Sequence, residues 1–265
     1  MGITGGKGGT GKSTVATSLA WQLSEEKDVL LVDLDVDCPN DHLLLGIERR
    51  VKREVTQRIP FIDSSLCTRC GRCGEVCRTG AIVAIPDKIP IVVPSQCNGC
   101  GSCSYACPHE AISWKHKKIG KIYTGSIGRL SYLGGELELN EMASEKVVDE
   151  VKREIGRHDI VIIDTAAGTH CNVISALEPC DKVIAVTEPT PLGAHDLELI
   201  LELLDKLDKP SKVVLNKDDG DDSALSQAMQ RYGKGFALRI PFDRDVVDAY
   251  SSAKPIMIGD VEKII

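Results

Sequence analysis

Apolar residues recur with two different periods along this chain, and their alternation lays out most of its architecture. Val15, Ala16, Leu19, Ala20 and Leu23 fall at helical spacing, preceded only by a short apolar stretch, Met1 to Thr4. Asp28–Asp37, DVLLVDLDVD, is a continuous apolar run ending in carboxylates. That pattern predicts a parallel strand buried on both faces, with chemistry at its C-terminal end. From Val51 to Asp63 the pattern weakens and Lys52, Arg53 and Arg58 collect, which predicts a basic linker. Gly125–Asn140 is glycine-rich and fits neither period. Helical spacing returns over Ser144–Ile155 through Val147, Val148, Val151 and Ile155, followed by a buried strand over Asp159–Asp164. Strands at Lys182–Val186, Val213–Leu215 and Phe236–Pro241 then alternate with helices through Leu197, Ile200 and Leu204 and around Val246–Tyr250. The expected fold is α/β, a mostly parallel doubly wound sheet with helices on both faces.

The loop between the first strand and helix is GGKGGTGKST, Gly5 to Thr14. Gly6, Gly11, Lys12 and Ser13 satisfy G-x-x-x-x-G-K-[ST], the phosphate-cradling P-loop. Gly6, Gly8, Gly9, Thr10, Gly11 and Thr14 supply backbone N–H groups that wrap the phosphates. Lys12 pairs with the β- and γ-phosphates, and Ser13 offers its hydroxyl to Mg²⁺. Asp33 and Asp35 end the second strand, where carboxylates beside a magnesium-bound triphosphate can hold the ion and position water.

Lys7, just before Gly8-Gly9, is a second lysine that most P-loops lack. With it the chain resembles the MinD/ParA-type ATPases, whose loop reads K-G-G-x-G-K-[ST]. The resemblance extends through Asp33, Asp35, Asn40 and the Leu44–Arg50 stretch to Asp164-Thr165-Ala166-Ala167-Gly168. It implies that Lys7 reaches the nucleotide of a partner subunit, making the site composite and the protein a homodimer or a heterodimer with a related ATPase. It further implies that Asp33 and Asp164 hold Mg²⁺ through water, that Asp35 orients the attacking water and that Asn40 belongs to a first switch. Gly168 would follow the γ-phosphate. The adenine of ATP would be held by Asn216 and by the loop with Pro241 and Asp243. Asn216–Asp219 also fits the N-x-x-D pattern of guanine recognition, but the resemblance favours ATP. Cys171, just past Gly168, is either a thiolate at the dimer interface or a small core residue.

Composition adds a second chemistry. Eleven cysteines are present, and eight crowd between Cys67 and Cys107. CTRCGRCGEVC is followed 30 residues later by CNGCGSCSYACP, so that Cys67/Cys97, Cys70/Cys100, Cys73/Cys103 and Cys77/Cys107 repeat at one offset. The spacing C-x2-C-x2-C-x3-C is that of bacterial two-cluster ferredoxins, whereas zinc fingers pair C-x2-C elements over longer spans. One [4Fe–4S] cluster is expected on Cys67, Cys70, Cys73 and Cys107, the other on Cys97, Cys100, Cys103 and Cys77. Pro108 follows the last cysteine as in ferredoxins, but Arg78 stands where the first run should carry proline.

The chain is therefore expected to be a discontinuous ATPase domain (1–60 and 124–265) interrupted by a two-cluster ferredoxin-like α+β domain (61–123). The net charge of −7 argues against a nucleic-acid-binding face. No run is long and apolar enough to span a membrane, no signal peptide is evident, and Val261–Ile265 is too short for the amphipathic helix that anchors MinD, so a cytoplasmic protein is expected. The expected function is ATP hydrolysis coupled to electron transfer to an unknown redox protein. The alternatives are cluster assembly with transfer to an acceptor, and cargo positioning with structural clusters.

Overall fold

The computed structural model describes residues 1–265. The short apolar start forms β1 (Gly2–Thr4), buried throughout, and α1 (Lys12–Ser24) follows the glycine loop. The run after Asp28 becomes β2 (Val29–Leu34), every residue buried, and a single helical turn, α2 (Asp41–Leu44), comes next. Then come β3 (Arg50–Ile62), α3 (Arg72–Glu75), β4 (Ile82–Val83), β5 (Ile91–Val92), α4 (Ser102–Tyr105), β6 (Ile112–Ile127) and β7 (Leu130–Leu137). The remainder is α5 (Ser144–Lys152), β8 (Ile160–Thr165), α6 (Cys171–Leu177), β9 (Val183–Thr187), α7 (Pro191–Lys206), β10 (Ser211–Asp218), α8 (Ser226–Arg231), β11 (Phe236–Pro241) and α9 (Arg244–Ser251).

Strand order in the large sheet is β11-β10-β9-β1-β8-β2-β7-β6-β3. From β11 to β7 every pairing is parallel. The two residues between β6 and β7 allow only an antiparallel hairpin, since a parallel pair needs a long crossover. Leu19 of α1 packs into one core with Leu31, Ile162, Ile184 and Val214 from four strands. Each fully buried aliphatic side chain in this layer contributes about 2 kcal/mol of burial free energy. No helix is long and apolar enough to cross a membrane.

Two sequence expectations need correction. Val51–Asp63 is not a linker but most of β3, and Gly125–Asn140 holds the end of β6 and all of β7. Basic residues can stand in β3 because carboxylates meet them. Lys52 Nζ lies 2.8 Å from Glu154, and Arg53 lies 2.7 Å from Glu154 and 2.9 Å from Glu150 of α5. Charges along the outermost strand also discourage pairing with another sheet.

The chain divides into two compact units. One comprises Met1–Arg53, Ile122–Glu136 and Glu145–Ile265; the other comprises Glu54–Lys121 and Leu137–Ser144. Within the second, the sequence repeat becomes a structural one. Gly71 and Gly101, both at left-handed φ (77° and 91°), precede the single-turn helices α3 and α4. Cys77 N–H donates to Gly74 O, and Cys107 N–H to Ser104 O, 30 residues on. Ile82, Cys103 and Ile112 form a small core against which Cys73, Cys77 and Cys107 pack.

Candidate nucleotide site and cysteine cavities

β1 delivers the glycine loop to the N-terminus of α1, where unpaired N–H groups and the helix dipole favour an anion. Gly9 and Gly11 adopt φ of 81° and 94°. At Gly11 a Cβ would lie 2.1 Å from Asn216 Nδ2, so only glycine fits. That amide donates to Thr10 O at 2.8 Å and fixes the loop from β10. Lys12 is buried, its Nζ donating to Lys7 O at 3.2 Å. Ser13 Oγ donates to Asp164 Oδ2 at 2.6 Å. The loop is thus folded around the position its lysine and serine would give to phosphate and metal.

Asp33 of β2 stands in register with Asp164 of β8, and both are buried. Asp33 accepts from the N–H groups of Asp35 and Asp41 (each 3.2 Å) and from Tyr132 Oη at 3.4 Å. Sequence reasoning missed the third member of this group. Asp41, at the start of α2, is wholly buried, and its carboxyl meets that of Asp164, the neutral Asp41 donating to Asp164; no other side chain or backbone group bonds the Asp41 oxygens or Asp164 Oδ1. Burial, reinforced by neighbouring carboxylates, pushes Asp33 and Asp41 well above the usual carboxylate range. Burial also raises Asp164, to about 7, although Ser13 and Lys12 oppose it. Asp35 is raised by burial too, with Lys12 acting the other way. Two buried carboxyls held against each other, with no cationic side chain bonded to either, fit a divalent cation. No three such groups converge on one point, but Mg²⁺ keeps several waters and takes only one or two protein ligands beside phosphate. Ser13, Asp164, Asp33 and Asp41 would be the residues to hold it.

These carboxylates set a pH dependence. Asp164 has a folded value above its unfolded one near 4, so stability tied to its neutral form is complete below about pH 4. That stability is lost as pH rises through about 7. The melting temperature of the magnesium- and nucleotide-free protein should therefore fall between pH 5 and pH 8, less steeply in Asp41→Asn. A flat profile for the native chain would exclude neutral buried carboxylates here.

Lys7 Nζ lies 2.5 Å from Glu188 Oε1 at the end of β9, and Lys217 Nζ lies 3.0 Å from Glu188 Oε2. Lys217 also donates to Gly9 O at 2.8 Å. Burial would raise the Glu188 carboxyl, but the two lysines hold it net below its usual value. Gly168, at φ 95°, donates its N–H to Gly5 O at 3.1 Å, so in this state it is bound to the loop. A cavity of about 280 Å³ joins Gly9, Gly11, Lys12, Ser13 and Thr14 to Asn40, Asn216, Pro241 and Asp243. Phe242 and Tyr250, which sequence reasoning did not single out, complete its apolar wall. Asp219 is not among the residues lining this cavity; its carboxylate accepts from Asp221 N–H.

All eight clustered cysteines are free thiols. Cys67, Cys70, Cys73 and Cys107 line one cavity of about 20 Å³. Cys77, Cys97, Cys100 and Cys103 line another of about 210 Å³. Each cavity thus takes three cysteines from one repeat and the fourth from the other. Four thiols on one cavity are the donor set a cubane would need, one thiolate at each iron, while no three of them converge on a common metal position. Cys171 opens α6 and is exposed.

The family model described as CbiA, the CobQ/CobB/MinD/ParA nucleotide binding domain, matches residues 1–256. Two uncharacterized proteins of Methanocaldococcus jannaschii are similar: one is 36% identical over 96% of this chain and 90% of its own length, the other 34% identical over 92% and 84%. The septum site-determining protein MinD of Thermotoga maritima is 22% identical over 99% of this chain and 82% of its own. Among solved structures, MinD of Pyrococcus horikoshii complexed with Mg-ADP superimposes with a TM-score of 0.59 at 20% identity, over 96% of this chain and 85% of that one. That likeness is one of fold.

Proposed function

Because the chain belongs to the CobQ/CobB/MinD/ParA nucleotide-binding family of P-loop ATPases, we propose that it hydrolyses ATP as a dimer and couples nucleotide state to electron transfer through two [4Fe–4S] clusters. The observation that carries the redox half is the sorting of eight cysteines into two cavities, three neighbours and one from the opposite repeat in each. Clusters bound there would supply one-electron transfer. The observation behind the ATPase half is the loop of Gly9, Gly11, Lys12 and Ser13 opening on a cavity of about 280 Å³.

The chain's own residues divide the hydrolysis among them. Loop N–H groups and Lys12 bind the β- and γ-phosphates. Ser13, Asp164, Asp33 and Asp41 would hold the cation, which would neutralise charge on the phosphates. Asp35 orients the water that attacks the γ-phosphorus, and Asn216, Pro241 and Asp243 hold the base. Lys7 completes the site of a partner copy or a related subunit, for which it must leave Glu188. The electron acceptor is a separate redox protein, and cytoplasmic residence fits both chemistries.

The test is anaerobic reconstitution with iron and sulfide, followed by redox titration with and without Mg·ATP. A nucleotide-dependent shift of about 60 mV, a tenfold change in a one-electron equilibrium, is expected. Clusters that are redox-silent in both conditions would remove the electron-transfer reading. Iron delivery to an apo-acceptor would favour cluster assembly instead.

A further inference from the structure

The second compact unit carries an open cleft of about 860 Å³ that neither the proposed nucleotide site nor the cysteine ligation uses. Its wall includes Val76, Arg78, Cys100, Gly101, Ser102 and Trp114, all of which also line the Cys77/Cys97/Cys100/Cys103 cavity. No residue of the Cys67/Cys70/Cys73/Cys107 cavity reaches it. Each set has one exposed cysteine, Cys70 or Cys100, but the two border different surroundings: the Cys100 set shares its wall with a cleft of ligand-binding size, and the Cys70 set does not.

The cleft is cationic for a reason visible in the sequence. Arg78 is the residue that breaks the repeat, standing where the second run has Pro108. Arg58 is held in place, its guanidinium 4.6 Å over the Trp114 ring and its Nε donating to Gly99 O at 3.0 Å. Glu75 is the only carboxylate on the wall. Tyr105, 97% exposed, lines the cleft as well. The held guanidinium of Arg58 and the exposed one of Arg78 would offset the negative charge of a thiolate-ligated cluster behind them, leaving the surface open to an anionic partner. Exposed aromatic and arginine side chains are also the groups that anchor protein interfaces.

We propose that this cleft docks an acidic one-electron carrier protein, whose carboxylates meet Arg58 and Arg78, and that electrons cross through the Cys77/Cys97/Cys100/Cys103 side. The step transfers one electron between the cavity-bound cluster and the carrier. One is oxidised as the other is reduced, no bond forms or breaks, and no proton moves. This rests on the cluster reading above and adds which side is used and by what kind of partner.

The probe is a small acidic plant-type [2Fe–2S] ferredoxin, added to the reconstituted full chain at low salt. Arg58→Glu/Arg78→Glu should slow the second-order transfer rate at least about tenfold, in the range of electrostatic steering, and the difference should vanish at high salt. Affinity for the oxidised probe, measured by calorimetry, should weaken in parallel. Cluster absorbance and reduction by the cationic dye methyl viologen should be unchanged. Arg58→Lys/Arg78→Lys should keep most of the rate, and Arg69→Glu/Arg72→Glu, on the other cysteine loop, should match the native chain. Equal rates in the native and Arg58→Glu/Arg78→Glu proteins would overturn the proposal, as would an equal loss in the Arg69/Arg72 pair. A native chain that assembles no cluster would remove the underlying reading and this docking site with it.

Discussion

Lys12→Ala should lose nucleotide binding by roughly 100-fold or more, whereas Lys7→Ala should bind ATP within about threefold of the native chain and yet turn it over about 1000-fold more slowly. The first figure is the loss expected when one member of a buried, hydrogen-bonded charge pair is removed. The second is at the lower end of what a cation supplied in trans contributes to phosphoryl transfer. The geometry explains why two lysines five residues apart behave so differently. Lys12 is buried at the start of α1 and faces the phosphate position, while Lys7 is turned away, ion-paired to Glu188. Lys7→Ala should not unfold the loop. Glu188 keeps Lys217, and the acceptor for Lys12 is the backbone oxygen of residue 7, which alanine retains. Equilibrium dialysis with a nucleotide analogue and steady-state turnover against enzyme concentration separate the two effects. Native turnover should rise faster than linearly with enzyme, and Lys7→Ala should stay linear. If Lys7→Ala hydrolysed ATP at the native rate, the composite site would have to be abandoned.

Those two lysines also mark what the sequence could disclose. The loop, β1, β2, β8 and β9 were legible because buried parallel strands read as unbroken apolar runs and phosphate loops need glycine at fixed places. β3 was not, because a strand at the edge of a sheet can carry Lys52 and Arg53 on its open face, and their partners Glu150 and Glu154 lie about a hundred residues away. Glu188 was invisible as the counter-ion of Lys7 for the same reason: nothing local in Thr187-Glu188-Pro189 points to residue 7. Asp41 was passed over beside Asn40 because an aspartate opening a helix is ordinarily a solvated cap. Only its complete burial against the carboxyl of Asp164 sets it apart. The cysteines were the reverse case. Their offset of 30 residues suggests crossed groups of three cysteines and one, and groups of that composition line the two cavities.

That crossing leads to the sharpest test of the second unit. Cys77→Ser should cost the cluster of Cys97, Cys100 and Cys103, and leave the cluster of its own sequence neighbours Cys67, Cys70 and Cys73 in place. Cys107→Ser should do the opposite. Each variant should lose about half its iron, since a serine oxygen is a harder, weaker ligand for cluster iron than thiolate. Iron content alone does not tell which half is lost, but thiol alkylation followed by mass spectrometry does. In Cys77→Ser, Cys97, Cys100 and Cys103 should become alkylated while Cys67, Cys70, Cys73 and Cys107 stay protected. The structural reason is that Cys77, two residues beyond α3, lines the cavity of the other repeat and not that of Cys67, Cys70 and Cys73. Protection of Cys97, Cys100 and Cys103 in Cys77→Ser, with labelling of Cys67, Cys70 and Cys73, would mean that each repeat holds its own cluster, and the crossed sets would be wrong. Because the Cys97 side is the one that opens on the arginine cleft, the same pair of variants also separates the two redox centres. Cys77→Ser should abolish transfer to an acidic carrier, and Cys107→Ser should leave a chain that still reacts with it.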